Sequence, residues 1–335
     1  MSSDILGLNA LFRASNRNKA IILMYHGVCD NHFTLLKGFD ERHISKSTFR
    51  KQLDYLKRRG YKFAHITELV DAIKSKGKIS KFVVLTFDDG FSNVIKNAYP
   101  IIREFNAKGC FYLVSDLVGT NHLLWTDYVE TVIRNQKKGN FKFLFNGEEI
   151  NYILTDKQSY ENTMLDIKNK LRSIPDHERY EHLEQFNKTR LGNIPKEFIM
   201  ADWDQIKGID PRVLEIGSHT RRHPDCANII SDEELIDEIY NSKTIIERKS
   251  NHKIQHFCYP NGSYNDRVIA EVIKSNYESG VTIENGYTNN NSDLYKLRRI
   301  EATQEFLLFK AKISGSYNII RKMATLLKRP SAVSN

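Results

Sequence analysis

The feature that most constrains this chain is an alternation. Short runs rich in β-branched and aromatic residues recur along it: 20–28 (AIILMYHGV), 82–88 (FVVLTFD), 109–117 (GCFYLVSDL), 214–220 (LEIGSHT), 256–260 (HFCYP), 279–283 (SGVTI) and 295–302 (YKLRRIEA). Helical patterns lie between several of them. Residues 45–60 open on Ser45 and stop at Gly60, and residues 231–250 open on Ser231 with Glu234 three positions on, as in a capping box. Strands separated by helices fit a parallel sheet, because parallel neighbours need a long crossover. The expected fold class is α/β, with the chemistry on loops at the C-terminal strand ends.

Residues 121–205 break this rhythm. They are polar, rich in Asn, Lys and Glu, and mostly helical in pattern. We read them as an insertion between two strand–helix units, either a lid or a surface decoration. Trp125 and Trp203 are candidates for stacking on the flat face of a ligand, with packing inside the insertion as the alternative.

In FVVLTFDDG the strand should end near Phe87, leaving Asp88 and Asp89 together at its C-terminal mouth, with Gly90 permitting a tight turn. Neighbours on an extended chain face different sides, so one carboxylate can hold a cation while the other faces substrate or water. A helix N-cap and first-turn acid is the competing explanation. Further on, SHTRRHPD sets His219 and His223 four residues apart, where a helical turn would bring both rings to one side. His252 and His256 share that spacing, but they span a helix end and its linker and are expected at the surface or at a strand entry. Asp89, His219 and His223 together would offer one carboxylate and two imidazoles with a position left open, as catalytic zinc sites do. Asp88 beside them is then the general base.

In this order and at these separations, TFDDG, SHTRRHP and FCYPNGSYN resemble the polysaccharide deacetylases of the NodB-homology type (carbohydrate esterase family 4). The resemblance covers roughly residues 18–120 and 200–303, including ILMYHGV and LRRIEA. It implies a distorted (β/α) barrel that binds one divalent metal ion, with zinc expected, and removes an N-acyl group from an amino sugar. Asp88 matches the family's catalytic base, and Asp89, His219 and His223 match its metal ligands. Thr220 would shape the HTRRH loop by a hydrogen bond. Tyr259 falls where a backbone N–H helps hold the oxyanion.

Two departures stand out. Where many members carry a base-orienting arginine, this chain has Cys258, which leaves Arg298 or Arg299 in the last strand as a substitute. No Leu-x-His follows Arg299, so the general acid falls to His26, in a YH pair that some biosynthetic members share. A core histidine is the alternative there.

The net charge of +9 comes from small basic groups without interleaved aromatics, so no nucleic-acid partner is expected. The basic and apolar residues 306–335 suit either an anionic membrane surface or a helix packed on the barrel. No apolar run approaches the ~18 residues needed to cross a bilayer. The order of charges at the N-terminus is wrong for a secretory signal, and the four cysteines form no CxxC pair. The expected setting is cytoplasmic, with a peripheral position on the inner face of the membrane as the option that the first of these two readings of 306–335 adds. The expected layout is 1–17 as a leading segment, 18–305 as the deacetylase domain and 306–335 as a tail.

The expected function is metal-dependent N-deacetylation of an amino sugar in glycan or glycolipid biosynthesis, on a lipid-linked, nucleotide-linked or oligosaccharide substrate. The alternatives are a deformylase on a lipid-linked amino sugar and a catalytically silent carbohydrate-binding relative. Non-haem iron oxygenases also use two histidines and a carboxylate, but usually begin with His-x-Asp.

Overall fold

The computed structural model describes residues 8–30, 42–186, 192 and 194–317. Its strands are β1 (Ile21–Tyr25), β2 (Gly27–Cys29), β3 (His43–Ser45), β4 (Lys62–Phe63), β5 (Phe82–Phe87), β6 (Gly109–Leu113), β7 (Gly139–Phe145), β8 (Glu148–Leu154), β9 (Leu214–Ser218), β10 (His256–Cys258), β11 (Ser279–Asn285) and β12 (Leu297–Glu301). Strands β1, β12, β11, β10, β9, β6 and β5 pair side by side in that order. All these pairs are parallel, and β5 pairs back onto β1 from Ile21↔Val83 to Tyr25↔Phe87. The result is a closed seven-stranded barrel, with β4 added at the start of β5.

The apolar runs are nearly continuous because both faces of each strand are buried. Alternate residues, among them Ile22, Val84, Cys110, Tyr112, Val281 and Leu297, fill the interior. Their neighbours Leu23, Tyr25, Leu85, Phe87 and Phe111 pack under the surrounding helices. Gly217 makes room for this interior, since a Cβ there would lie 2.4 Å from the Tyr112 ring. Helices α1 (Leu8–Ser15) and α2 (Lys46–Arg58) lie outside the barrel, and α3 (Ile66–Lys74) packs Ile66, Leu69 and Val70 against the interior layer. Ser45 caps α2 by accepting from the Thr48 N–H at 3.2 Å. Ser231 caps the helical run Asp232–Ser250 in the same way, and a π turn at Asp237–Asn241 interrupts that run.

Helices α4 (Tyr99–Glu104), α5 (Trp125–Arg134), α6 (Lys157–Arg172) and α7 (Asp176–Glu184) follow, the last three lying between β6 and β9. The segment is mostly helical, as expected, but β7 and β8 add an antiparallel hairpin that the expectation lacked. The signal was present in the sequence: Phe141 and Phe143 alternate with polar residues, and Asn146-Gly147 turns with φ of 50° and 82°. The segment has its own core, where Trp125, Val129, Phe143, Ile167 and Phe186 meet.

After the barrel, Phe306–Ser314 forms a helix packed on its side, with Phe306 edge-on to Tyr55 at 5.8 Å and Phe309 buried. Residues 318–335, on which the rest of the membrane reading falls, lie outside the described residues. Among the described residues no helix is long and apolar enough to cross a membrane.

Candidate active site

Strand alternation carries Asp88 inward, in step with Val84 and Thr86, to the top of the barrel interior. Arg299, two residues beyond inward-facing Leu297, meets it there. Nη1 donates to Asp88 Oδ1 and Nη2 to Oδ2, both at 2.7 Å. The remaining donors are also engaged: Nε reaches the Thr282 carbonyl at 2.8 Å and Nη1 the Thr86 hydroxyl at 3.0 Å. Nη2 also lies 3.3 Å from Cys258 Sγ. Burial alone would push the Asp88 carboxyl up, but the charge and hydrogen bonds of Arg299 outweigh it and hold the group below the usual carboxylate range. Arg298 points elsewhere and pairs with Glu284 at 3.2 Å. Of the two arginines left open by the sequence, Arg299 is the one that reaches Asp88.

Asp89 leaves the strand with φ of 76°, and Gly90 follows at 96°. A left-handed aspartate costs roughly 1–2 kcal/mol. The turn aims Oδ1 at His219 Nε2, 3.5 Å away, and at His223 Nε2, 3.6 Å away.

The helical turn expected between these histidines is absent. Thr220 and His223 are both left-handed, with φ of 66° and 65°. Such a conformation is a genuine outlier for a β-branched residue, and the surroundings enforce it. The His223 N–H donates to Thr220 Oγ1 at 3.0 Å, and the Ser115 N–H donates to the Thr220 carbonyl at 3.1 Å. The N–H groups of Arg221 and Arg222 both donate to Glu238 Oε2, at 2.8 and 3.0 Å. His219 Nδ1 lies 2.8 Å from the Cys258 carbonyl. A carbonyl only accepts, so Nδ1 carries the proton and Nε2 is presented to Asp89.

The donor atoms of Asp89, His219 and His223 all lie within 4.8 Å of one another, and all three residues are buried. Ligands ~2.1 Å from a tetrahedral ion sit ~3.4 Å apart, so the spacing fits one divalent ion. Burial disfavours the Asp89 carboxylate, yet His219, His26, His223 and Arg42 together hold its carboxyl well below the usual range. The two imidazoles are driven apart. Burial opposes protonation of His219, but its acidic neighbours outweigh this and push it well up. His223 is pushed down to about 3 by burial and by the charge of His219.

These groups line a cavity of about 1020 Å³ at the barrel mouth. His26 lies in its wall between β1 and β2, close enough that its charge helps hold both aspartates ionised. Tyr259 also lines it, but the backbone N–H for which the resemblance singles it out donates to the Val281 carbonyl at 3.2 Å. That donor is committed to the sheet, which corrects its assignment to the oxyanion. Trp125 is likewise corrected. It is 1 % exposed in the core of the inserted segment, with the Arg179 guanidinium 4.6 Å from its ring centre, and it does not line the cavity.

Sequence reasoning missed Arg42, Thr126, Lys168 and Arg172, which also line the cavity. The last three come from α5 and α6, so the inserted segment forms one wall of the site. No motif marks these residues. Lys168 and Arg172 could have been found only as a four-residue spacing on one helix face.

The polysaccharide deacetylase family model matches residues 75–280, more than half of the chain. YxkH of Bacillus subtilis, which carries the same family's name, is 20% identical over 296 residues, or 88% of this chain and 75% of that protein. The poly-β-1,6-N-acetyl-D-glucosamine N-deacetylase of Staphylococcus epidermidis is 27% identical over 136 residues. That match spans 36% of this chain and less than half, 47%, of the staphylococcal protein. Among solved structures, the Streptococcus pyogenes deacetylase PplD superposes with a TM-score of 0.60 at 19% identity, covering 89% of this chain and 98% of the other. IcaB from Ammonifex degensii gives 0.57 at 17% identity, covering 89% and 97%. Both share the barrel fold. With the matched family region spanning Asp88, Asp89, His219 and His223, the chain belongs to the polysaccharide deacetylase family.

Proposed function

We propose that this protein removes the N-acetyl group from an amino sugar in glycan or glycolipid biosynthesis, using one divalent ion, zinc, held by Asp89, His219 and His223. The observation that carries this reading is the buried Asp88–Arg299 pair beside a three-donor cluster of ion-binding spacing at the floor of one cavity. An ion held there supplies Lewis-acid activation of water and of the acyl carbonyl.

The remaining work falls to the chain itself. Arg299 fixes both oxygens of Asp88 and keeps the carboxylate ionised, and Asp88 takes the proton from the attacking water. His26, in the cavity wall, gives a proton to the departing amine. The C–N bond breaks, and acetate and a free amino sugar leave.

The cavity volume stands at the upper end of ordinary small-ligand pockets (~300–1,000 Å³), which favours an oligosaccharide or a carrier-linked sugar over a free monosaccharide. The staphylococcal relative makes short β-1,6-linked N-acetylglucosamine oligomers the first substrates to try, followed by lipid- and nucleotide-linked N-acetyl sugars. A reducing, cytoplasmic setting suits Cys258, whose buried thiol lies against Arg299. Peripheral contact of the basic tail with anionic membrane belongs to the same proposal. Vesicle flotation with and without residues 318–335 tests it, and equal flotation overturns it.

For the reaction itself, the protein incubated with zinc and these substrates should release acetate and yield products lighter by one acetyl unit per event. Release of formate from N-formyl substrates alone would move the chain to deformylation. Ligand binding without any release would make it a silent binding relative.

A further inference from the structure

Arg42 stands where the inserted segment meets the barrel mouth. Its Nη1 lies 3.4 Å from Asp89 Oδ2, and its Nη2 donates to Oδ1 of Asp127 in the first turn of α5. The Asp89 and Asp127 side chains are 3% and 0% exposed, so one guanidinium serves two buried carboxylates on different parts of the fold. The Phe91 ring, 5.9 Å from the guanidinium carbon, backs it.

The two oxygens of Asp89 are thereby divided. Oδ1 faces the imidazoles at 3.5 and 3.6 Å, while Oδ2 faces Arg42. The last torsion of an aspartate is broad and nearly two-fold, so an unheld carboxylate presents either oxygen, or both, to an ion. A planar fork anchored on Asp127 removes that freedom, because guanidinium donors are fixed relative to one another.

We infer that Arg42 is a positioning residue for Asp89, locked by Asp127, and that the inserted segment is thereby part of the metal centre. This inference rests on the reading of Asp89 as a metal ligand. The competing account is that Arg42 only neutralises the buried Asp127.

Zinc affinity measured by competition with a chromogenic chelator separates the two accounts, with wild type, Arg42→Met, Arg42→Lys, Asp127→Asn and the double variant Arg42→Met/Asp127→Asn. Outer partners of metal ligands typically contribute ~10–100-fold in affinity, so Arg42→Met should weaken binding by about tenfold or more. Arg42→Lys should restore only part, since a point charge cannot span both carboxylates. Asp127→Asn should weaken binding less, because the contact with Asp89 survives without its anchor.

The double variant removes the Asp127 charge together with Arg42, so Asp127 is not left as a buried unpaired carboxylate, and it is the decisive case even if the single variant folds poorly. Affinity still reduced there supports the inference, and recovery to the wild-type value overturns it. Tighter binding in Arg42→Met also overturns it, because Arg42 would then act only as a repelling charge. If wild type takes up no zinc, or if Asp89→Asn binds zinc as wild type does, the failure lies in the underlying metal assignment and not in the role of Arg42.

Discussion

Arg299 holds Asp88 in a bidentate pair although their strands are not neighbours. Strand β1 lies between β12 and β5, and the guanidinium reaches past it inside the barrel to bond both carboxylate oxygens at 2.7 Å. The sulfur of Cys258, at the position where the resemblance leads one to expect an arginine, lies 3.3 Å from the same guanidinium. Two strands can thus supply a cation to one carboxylate, and in this chain β12 supplies it.

That arrangement predicts a relocation. Arg299→Met removes the partner that keeps the buried Asp88 ionised, and losing one member of a buried ion pair costs about 3–5 kcal/mol. The variant should melt well below wild type and lose most of its deacetylase rate. Adding Cys258→Arg should recover a substantial part of both, because the new guanidinium starts beside the place the old one occupied. Thermal melting and acetate release measure the two effects. No recovery of either would mean that the route from β12 has no substitute.

Asp88→Asn should lower kcat by about 10²–10⁴-fold, the usual range for losing a general base, while bound zinc stays at the wild-type level. The same range applies to His26→Ala, which removes the proposed general acid. Elemental analysis alongside acetate release checks both variants. Wild-type turnover in either would reassign that proton-transfer step.

These predictions draw on residues of very different legibility. The barrel was readable because parallel strands buried on both faces leave apolar runs, and TFDDG and SHTRRHP mark the residues that the structure gathers. Three things were hidden. The left-handed backbone at Asp89, Thr220 and His223 goes against the preferences of those residues and is imposed by tertiary bonds such as that from the Ser115 N–H to the Thr220 carbonyl. The Tyr259 N–H looks available in sequence, but it is used by β11. Arg42 meets Asp127 across 85 positions, and no local pattern reports a contact of that range.

Trp125 offers a test of its corrected role. Truncating a buried tryptophan typically costs ~3–5 kcal/mol, and here the loss falls on the core of the inserted segment. Trp125→Ala should expose α5–α7 to limited proteolysis and speed their amide exchange while the barrel strands remain protected. A sugar-stacking residue would instead raise KM and leave protection unchanged, and that outcome would return Trp125 to the binding surface.

The last prediction concerns acid stability and lies away from the metal ligands, at the start of β10. His256 is 2 % exposed, with Nε2 2.8 Å from Thr67 Oγ1 and Nδ1 2.9 Å from Ser279 Oγ. Burial, aided by the charges of Lys74, Lys253 and Lys243 and opposed by Glu278, pushes the ring down to about 3. An unfolded histidine titrates near ~6.5, so between that pH and about 3 the unfolded chain binds a proton that the fold refuses. Stability from this group is therefore complete above pH ~6.5 and is lost as the pH falls, by about 1.4 kcal/mol per pH unit. Between pH 7 and 5 the loss should be about 2 kcal/mol. His256→Asn keeps a polar side chain between the two hydroxyls but cannot titrate, so its melting temperature should fall less than that of wild type over the same interval. Parallel falls in the two proteins would show that His256 accepts its proton without unfolding.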